Sequence, residues 1–328
     1  MIITRRSTLA LGLAAGLGLT MGLANNALAG WEPKKPVEFV VMAGKGGGAD
    51  KAVRLMQAII AKDKLSNVPF TPINKPGGTG AEALIHLKGK KGDNHTVMFT
   101  LNSFYTTPLR QPALGVNIEE FTPIMRMAED TFCLWVHSDR KDISSVDDFV
   151  KAAKAKGKGW IMAGTGKASE DNLLTDFLNS AYGLKMKYVP YKGGGKVAKE
   201  LAGKNADSTV NNPSEQLGFY EAGTTKPLAC FTPERIALFK DSPTFKELGQ
   251  DFVYFMQRTV VGAPGMDPEA VKYYQDLFNK VFTSEAWQTY RKKKALQGDA
   301  LSGDALMAYW KNERDVHKAM LMKMGAIK

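Results

Sequence analysis

Cysteine and histidine are scarce in this chain, two and four among 328 residues. His86, His95, His137 and His317 stand far apart, with no H-E-x-x-H and no Cys/His spacing suited to a metal, so each reads as a surface or satisfied core residue. No G-x-S-x-G elbow occurs. In "GKGGGADK" no Gly-Lys pair is followed by Ser or Thr where a P-loop needs one. Lysines are spread along the chain without an aromatic-rich nucleic-acid motif among them, so nucleic acid is not an expected partner. These absences make catalysis the minor reading and leave no cofactor or metal to expect. Cys133 and Cys230 lie in the strand-like runs "TFCLWVH" and "PLACFT"; a disulfide and two separate buried thiols both remain open.

Long apolar runs are also missing beyond the first thirty residues. At the start, Arg5 and Arg6 precede a Leu/Ala/Gly stretch from Leu9 to Ala24 and an Ala27-Leu28-Ala29 site. The stretch is shorter than the roughly 20 residues that span a bilayer. This reads as a signal peptide, residues 1–29, cleaved near Ala29/Gly30, with a mature protein in the periplasm. Thr4-Arg5-Arg6-Ser7-Thr8-Leu9 looks like a twin-arginine signal, although Thr8 and Ala10 depart from it, and the export route stays open. The net charge of +11 loses only those two arginines on cleavage, leaving a mild positive field that steers small anions.

What the chain has is glycine at strand ends. In "VVMAGKGGGADKAVRLMQAII" an apolar strand stops at Gly44, Gly46, Gly47 and Gly48, and a helical pattern follows, with Asp50 placed to cap it. Such a turn is where backbone N–H groups receive an anion. "WIMAGTG" and "MKYVPYKGGGK" repeat the theme, and "SSVDDFVKAAKAKG" is a capped helix, Ser145 to Gly157. Helices around 267–281, 284–296 and 304–323 close the chain. Strands alternating with helices predict an α/β fold with largely parallel sheets and ligands outside the strand C-termini. A dinucleotide fingerprint, Gly44-x-Gly46-x-x-Ala49, is present, but "VPFTPINKPG" lacks the acid that would hold a ribose. An exported NAD(P)-dependent oxidoreductase is thus an alternative. A carboxylate gripped by amides of two facing loops needs no catalytic side chain.

Several of these segments resemble, in order and spacing, the Bug-type periplasmic solute-binding proteins of tripartite tricarboxylate transporters. Lys45 to Asp50, with Val53 and Arg54, lines up with the opening P-G-G-G-[TS]-D-x-x-A-R. Asn74 to Gly80 and Asp93 to Thr96 match two further turns, and Val189-Pro190-Tyr191-Lys192-Gly193-Gly194 is intact. Ala222-Gly223 through Leu228-Ala229, then Arg235, resembles the family's A-G-K-x-R-x-L-A element, and Pro243 to Gly249 matches P-T-x-x-E-x-G. The resemblance implies a type II periplasmic-binding fold with two α/β domains about a ligand cleft: residues 30–130 with 252–328, and 131–251. It implies a small organic anion as ligand, membrane permease components as partners and a monomer. A ligand-sensing role for a two-component system is a further alternative.

The resemblance places the carboxylate on the first glycine loop (Gly46, Gly47, Gly48, Ala49, Asp50) and on a second loop with Thr165, Gly166 and Ser169. Asn102 and Ser103, ending the third strand, point by position at the cleft. Ala49 replaces a common hydroxyl donor, and Lys45 a proline. Asn172 stands where many members have His. Asn211 stands near a position that is Asp in many members; the amide gives no charge to an ammonium group and disfavours an amino-acid ligand.

Overall fold

The computed structural model describes residues 30–167 and 169–328; the expected signal at 1–29 lies outside them. The chain opens with β1 (Val37–Val41), whose Val and Phe residues are buried on both faces, as suits a central strand. Helix α1 (Gly48–Lys62) carries it to β2 (Phe70–Asn74), and α2 (Ala81–Lys88) to β3 (Thr96–Thr100). Both strands pair with β1 in parallel. Helix α3 (Ser103–Arg110) leads to β4 (Thr122–Thr131), and a single residue, Phe132, separates β4 from β5 (Cys133–His137).

With β5 the chain enters a second sheet. Helix α4 (Val146–Lys156), β6 (Ile161–Thr165), α5 (Glu170–Tyr182), β7 (Lys187–Tyr191), α6 (Gly194–Ala202), β8 (Ser208–Asn211), α7 (Pro213–Glu221) and β9 (Thr225–Cys230) complete it. The chain then returns as β10 (Phe255–Gly262) to the first sheet, and α8 (Pro268–Thr283), α9 (Glu285–Lys293) and α10 (Gly303–Lys323) follow. The strand orders are β2-β1-β3-β10-β4 and β7-β6-β8-β5-β9.

Neither sheet is wholly parallel. Strand β10 runs antiparallel to β3 and β4, and β5 antiparallel to β8 and β9. The reason is the crossing itself. A strand arriving from the other sheet enters at the end where its new neighbours finish, so it runs against them. The crossings touch: Phe231 N–H donates to Phe132 O and Tyr254 N–H to Phe231 O, both at 2.9 Å.

Each sheet has its own core. Phe39, Val97, Phe104 and Met127 pack with Phe278, Trp287 and Trp310 of the last three helices, so the C-terminal helices cover the first sheet. Phe132, Leu134, Trp160, Leu174 and Met186 build the second. Cys133 and Cys230, paired across β5 and β9, form a disulfide. Ser145 and Asp148 make a reciprocal capping box on α4. Among the described residues no helix is long and apolar enough to cross a membrane.

Candidate functional site

The first glycine loop joins β1 to α1. Gly46 has φ +80°, a left-handed conformation open to glycine. Gly47 caps α1 without a side-chain bond, so Asp50 is not the helix cap the sequence suggests. It lies in the first turn and reaches backward: Oδ2 accepts from Gly46 N–H (2.9 Å) and Arg54 Nε (3.0 Å), Oδ1 from Asn74 Nδ2 (3.0 Å). Burial works against its charge, but Arg54, the Gly46 amide and Asn74 hold its pKa below the usual value. Asp50 fixes the loop; Lys45 is exposed beside it.

Gly48 is glycine for want of space. A Cβ there would lie 2.9 Å from Arg258 Nη2 and 3.4 Å from Ser214 Oγ. Arg258, on β10, is ion-paired with Asp130 on β4, both buried. Burial opposes the guanidinium's charge, and adjacent Asp130 more than restores it, raising the pKa. The Gly48 amide faces the carboxyl of Glu215, on α7 of the other sheet.

Asn102 does not turn its side chain into the cleft. Nδ2 donates to Phe255 O (2.8 Å) and Tyr254 Oη (3.1 Å), and Oδ1 accepts from Gln257 N–H (2.9 Å). Tyr254 O–H meets His317 Nε2 at 2.9 Å, while His317 Nδ1–H donates to Glu313 O (2.7 Å). Burial pushes the His317 pKa down to about 4, so the ring is neutral. The Asn102 side chain thus ties α3 to the crossing segment and to α10. The Ser103 hydroxyl is likewise buried, against Met42 Sδ at 3.6 Å. What these residues turn outward is backbone: the Asn102 and Ser103 amides face the carboxyl of Glu170.

The second loop follows β6. Thr165 N–H donates to Asp171 Oδ2 (2.7 Å), and Ser169 Oγ to Thr165 O (2.7 Å) and Gly166 O (3.0 Å). Gly164 leaves room for Tyr188, whose hydroxyl reaches Thr165 O. Gly166 sits opposite the first sheet's loops: a Cβ on it would lie 3.8 Å from Thr79 Oγ1. Asn172 Nδ2 donates to Asp176 (2.9 Å).

At the end of β8, Asn211 Nδ2 donates to Glu215 Oε2 (2.7 Å), and its Oδ1 accepts from Gln216 Nε2 (3.1 Å). The Asn211 amide is thus occupied by the helix that follows it, α7, and a carboxyl, that of Glu215, stands one hydrogen bond away. Burial, with Asp130 nearby, pushes the Glu215 pKa up to about 7.

The structure thus brings the two glycine-bearing loops and the starts of α1 and α3 to one place. The hydroxyls and amides singled out from the sequence mostly brace these loops. Sequence reasoning missed Asp130, Glu170, Asp171, Glu215 and Arg258. A signal existed for two of them: Asp130 and Arg258 interrupt apolar strands, and a charge there asks for a partner.

The family model described as "Tripartite tricarboxylate transporter family receptor" matches residues 56–326. Protein BugT of Bordetella pertussis is 24% identical over 273 residues, covering 81% of this chain and 82% of that protein. Among solved structures, a Rhodopseudomonas palustris protein with adipate superposes with TM-score 0.82 at 22% identity, covering 89% of this chain and 98% of its own. MatC from Rhodopseudomonas palustris with bound malate gives TM-score 0.77 at 19% identity, over 88% and 99% of the two chains. At such identities the likeness establishes the fold, that of periplasmic binding proteins with two α/β lobes.

Proposed function

The chain belongs to the family of tripartite tricarboxylate transporter receptors, solute-binding proteins and not enzymes, and on that premise we propose that it captures a small organic carboxylate in the periplasm for the transporter's membrane components. The observation that carries the reading is the set of backbone amides at the first sheet's helix starts, turned toward the helices of the second sheet. Gly48 N–H at the start of α1 faces Glu215 on α7, Asn102 and Ser103 N–H at the start of α3 face Glu170 on α5, and Gly166 of the second loop lies opposite Thr79. Helix N-termini and glycine turns carry the partial positive charge that suits a carboxylate. The adipate and malate named with two structural relatives support a di- or tricarboxylate as the ligand, with an aromatic carboxylate as the other candidate.

In this reading the lobes are residues 30–130 with 252–328, and 131–251. They hinge where Phe132, Phe231 and Tyr254 cross, and a monomer is the acting species. Closure then presents the surface the permease reads.

A thermal-shift panel on refolded residues 30–328 tests this, with C4–C9 dicarboxylates, citrate, aromatic carboxylates, amino acids and NAD(P). A ligand at a hundred times its dissociation constant adds about 2.7 kcal/mol, a shift of a few degrees. A response to one carboxylate class, lost in Gly48→Val, supports the reading. A response to NAD(P) alone overturns it.

A further inference from the structure

The amides that would receive a ligand carboxylate already face carboxyls of the protein. Glu170 stands before the Asn102 and Ser103 amides, Glu215 before Gly48, and Asp171 beside Thr165. Asp130 adds a fourth acid, spent on Arg258. Glu170 is 8% exposed, and its Oε1 is buried with no hydrogen-bond partner. Ionised, such an oxygen is stripped of water with no donor in return, and it repels Asp171 and any arriving anion. Protonated, it becomes a donor.

We infer that closing of the cleft takes up a proton on Glu170 and Glu215, so that the site holds its carboxylate as an anion accompanied by a proton. This rests on the carboxylate reading above. The proton comes from solvent, and the O–H it creates donates to a ligand carboxylate oxygen where two bare carboxylates would repel.

The surroundings agree. Facing Glu215 are Asp130 on β4, Arg258 on β10, Lys51 and the Gly48 amide on α1, Asp171 on α5 and Tyr290 on α9. Facing Glu170 are the α3 amides and Arg110, Arg258 on β10, Asp171 on its own helix, Tyr188 on β7 and Tyr254 at the crossing. Burial raises the pKa of Glu170 and Asp171 as it does that of Glu215. The sign follows: a group whose pKa is raised by closure favours the closed form as pH falls. One proton taken up near pH 7 makes closure about tenfold more favourable at pH 6 than at pH 8.

Small-angle scattering on refolded, ligand-free residues 30–328 tests the inference without any ligand. The radius of gyration should fall between pH 8 and pH 5, and Glu170→Gln with Glu215→Gln should give the compact form already at pH 8. An unchanged wild-type radius over that range overturns the inference, as does a folded double variant that keeps the wild-type pH response. Should the double variant fail to fold by circular dichroism, the wild-type titration decides. Calorimetry with adipate in buffers of different ionisation enthalpy is the second arm. Uptake of about one proton per adipate at pH 7 supports the inference, and binding without proton uptake overturns it. Absence of adipate binding counts against the carboxylate reading for that probe, and scattering still judges the proton.

Discussion

Asp50 holds the first glycine loop by taking Gly46 N–H, Arg54 and Asn74 on one carboxylate. Asp50→Ala leaves the amide and the Asn74 side chain without this partner, and we expect a loss of about 1–3 kcal/mol in urea unfolding, with weaker ligand binding. Because its pKa is lowered in the folded state, this contribution is present above the ordinary value of 3.8 and is lost as pH falls below it. His317 has a different window. The unfolded ring binds a proton near 6.5 and the buried ring only near 4, so stability falls as pH drops through that interval, by about 3 kcal/mol. His317→Gln should remove that part of the pH dependence when urea midpoints of the two proteins are compared between pH 7 and pH 4. At this scale the sequence disclosed the glycines and Asp50, whose chemistry is fixed by backbone conformation and by local reach. It did not disclose that Asn102 spends its side chain on its own scaffold, because Phe255, Tyr254 and Gln257 are brought to it by tertiary placement, whereas Ser169 and Asn211 bond groups three to five residues away, a local choice the sequence leaves open.

At the scale of elements, periodicity made α1, α4, α5 and the three C-terminal helices legible, and glycine turns marked β1, β6 and β7. Strand β4 escaped because Arg126, Glu129 and Asp130 break its apolar pattern. Their partners lie within the strand and on its neighbour: Arg126 Nη1 meets Glu129 Oε1 at 2.7 Å, and Asp130 meets Arg258 of β10. The runs around Cys133 and Cys230 read as strands, but the antiparallel direction of β5, β9 and β10 escaped, since a crossing between sheets leaves no local sign. The Cys133–Cys230 bond closes a loop over a sequence separation of 97. Replacing both cysteines by serine should cost roughly 2–5 kcal/mol, read as a lower denaturant midpoint, with the fold kept by circular dichroism. No change in midpoint would show that this bond does not constrain the unfolded chain.

For the whole molecule, two sheets meet through two crossing segments, and helix α10 lies on both cores, with Trp310 in the first and Met320 against the second. His317 of that helix joins the Asn102 network at the crossing. The residues at the crossing are thus the same ones that set the start of α3, so the proposed closure of the cleft would arrange its amides in the same step. The receptor family was legible in the order of short motifs, and the acids lining the cleft were not. The most direct test of the carboxylate reading is calorimetric titration of the refolded chain, residues 30–328, with malate and with adipate. The account predicts saturable binding near the micromolar range, about −8.2 kcal/mol, for at least one of them, weakened by Gly48→Val. Absence of binding to any carboxylate in the panel, with binding to NAD(P) instead, would contradict it.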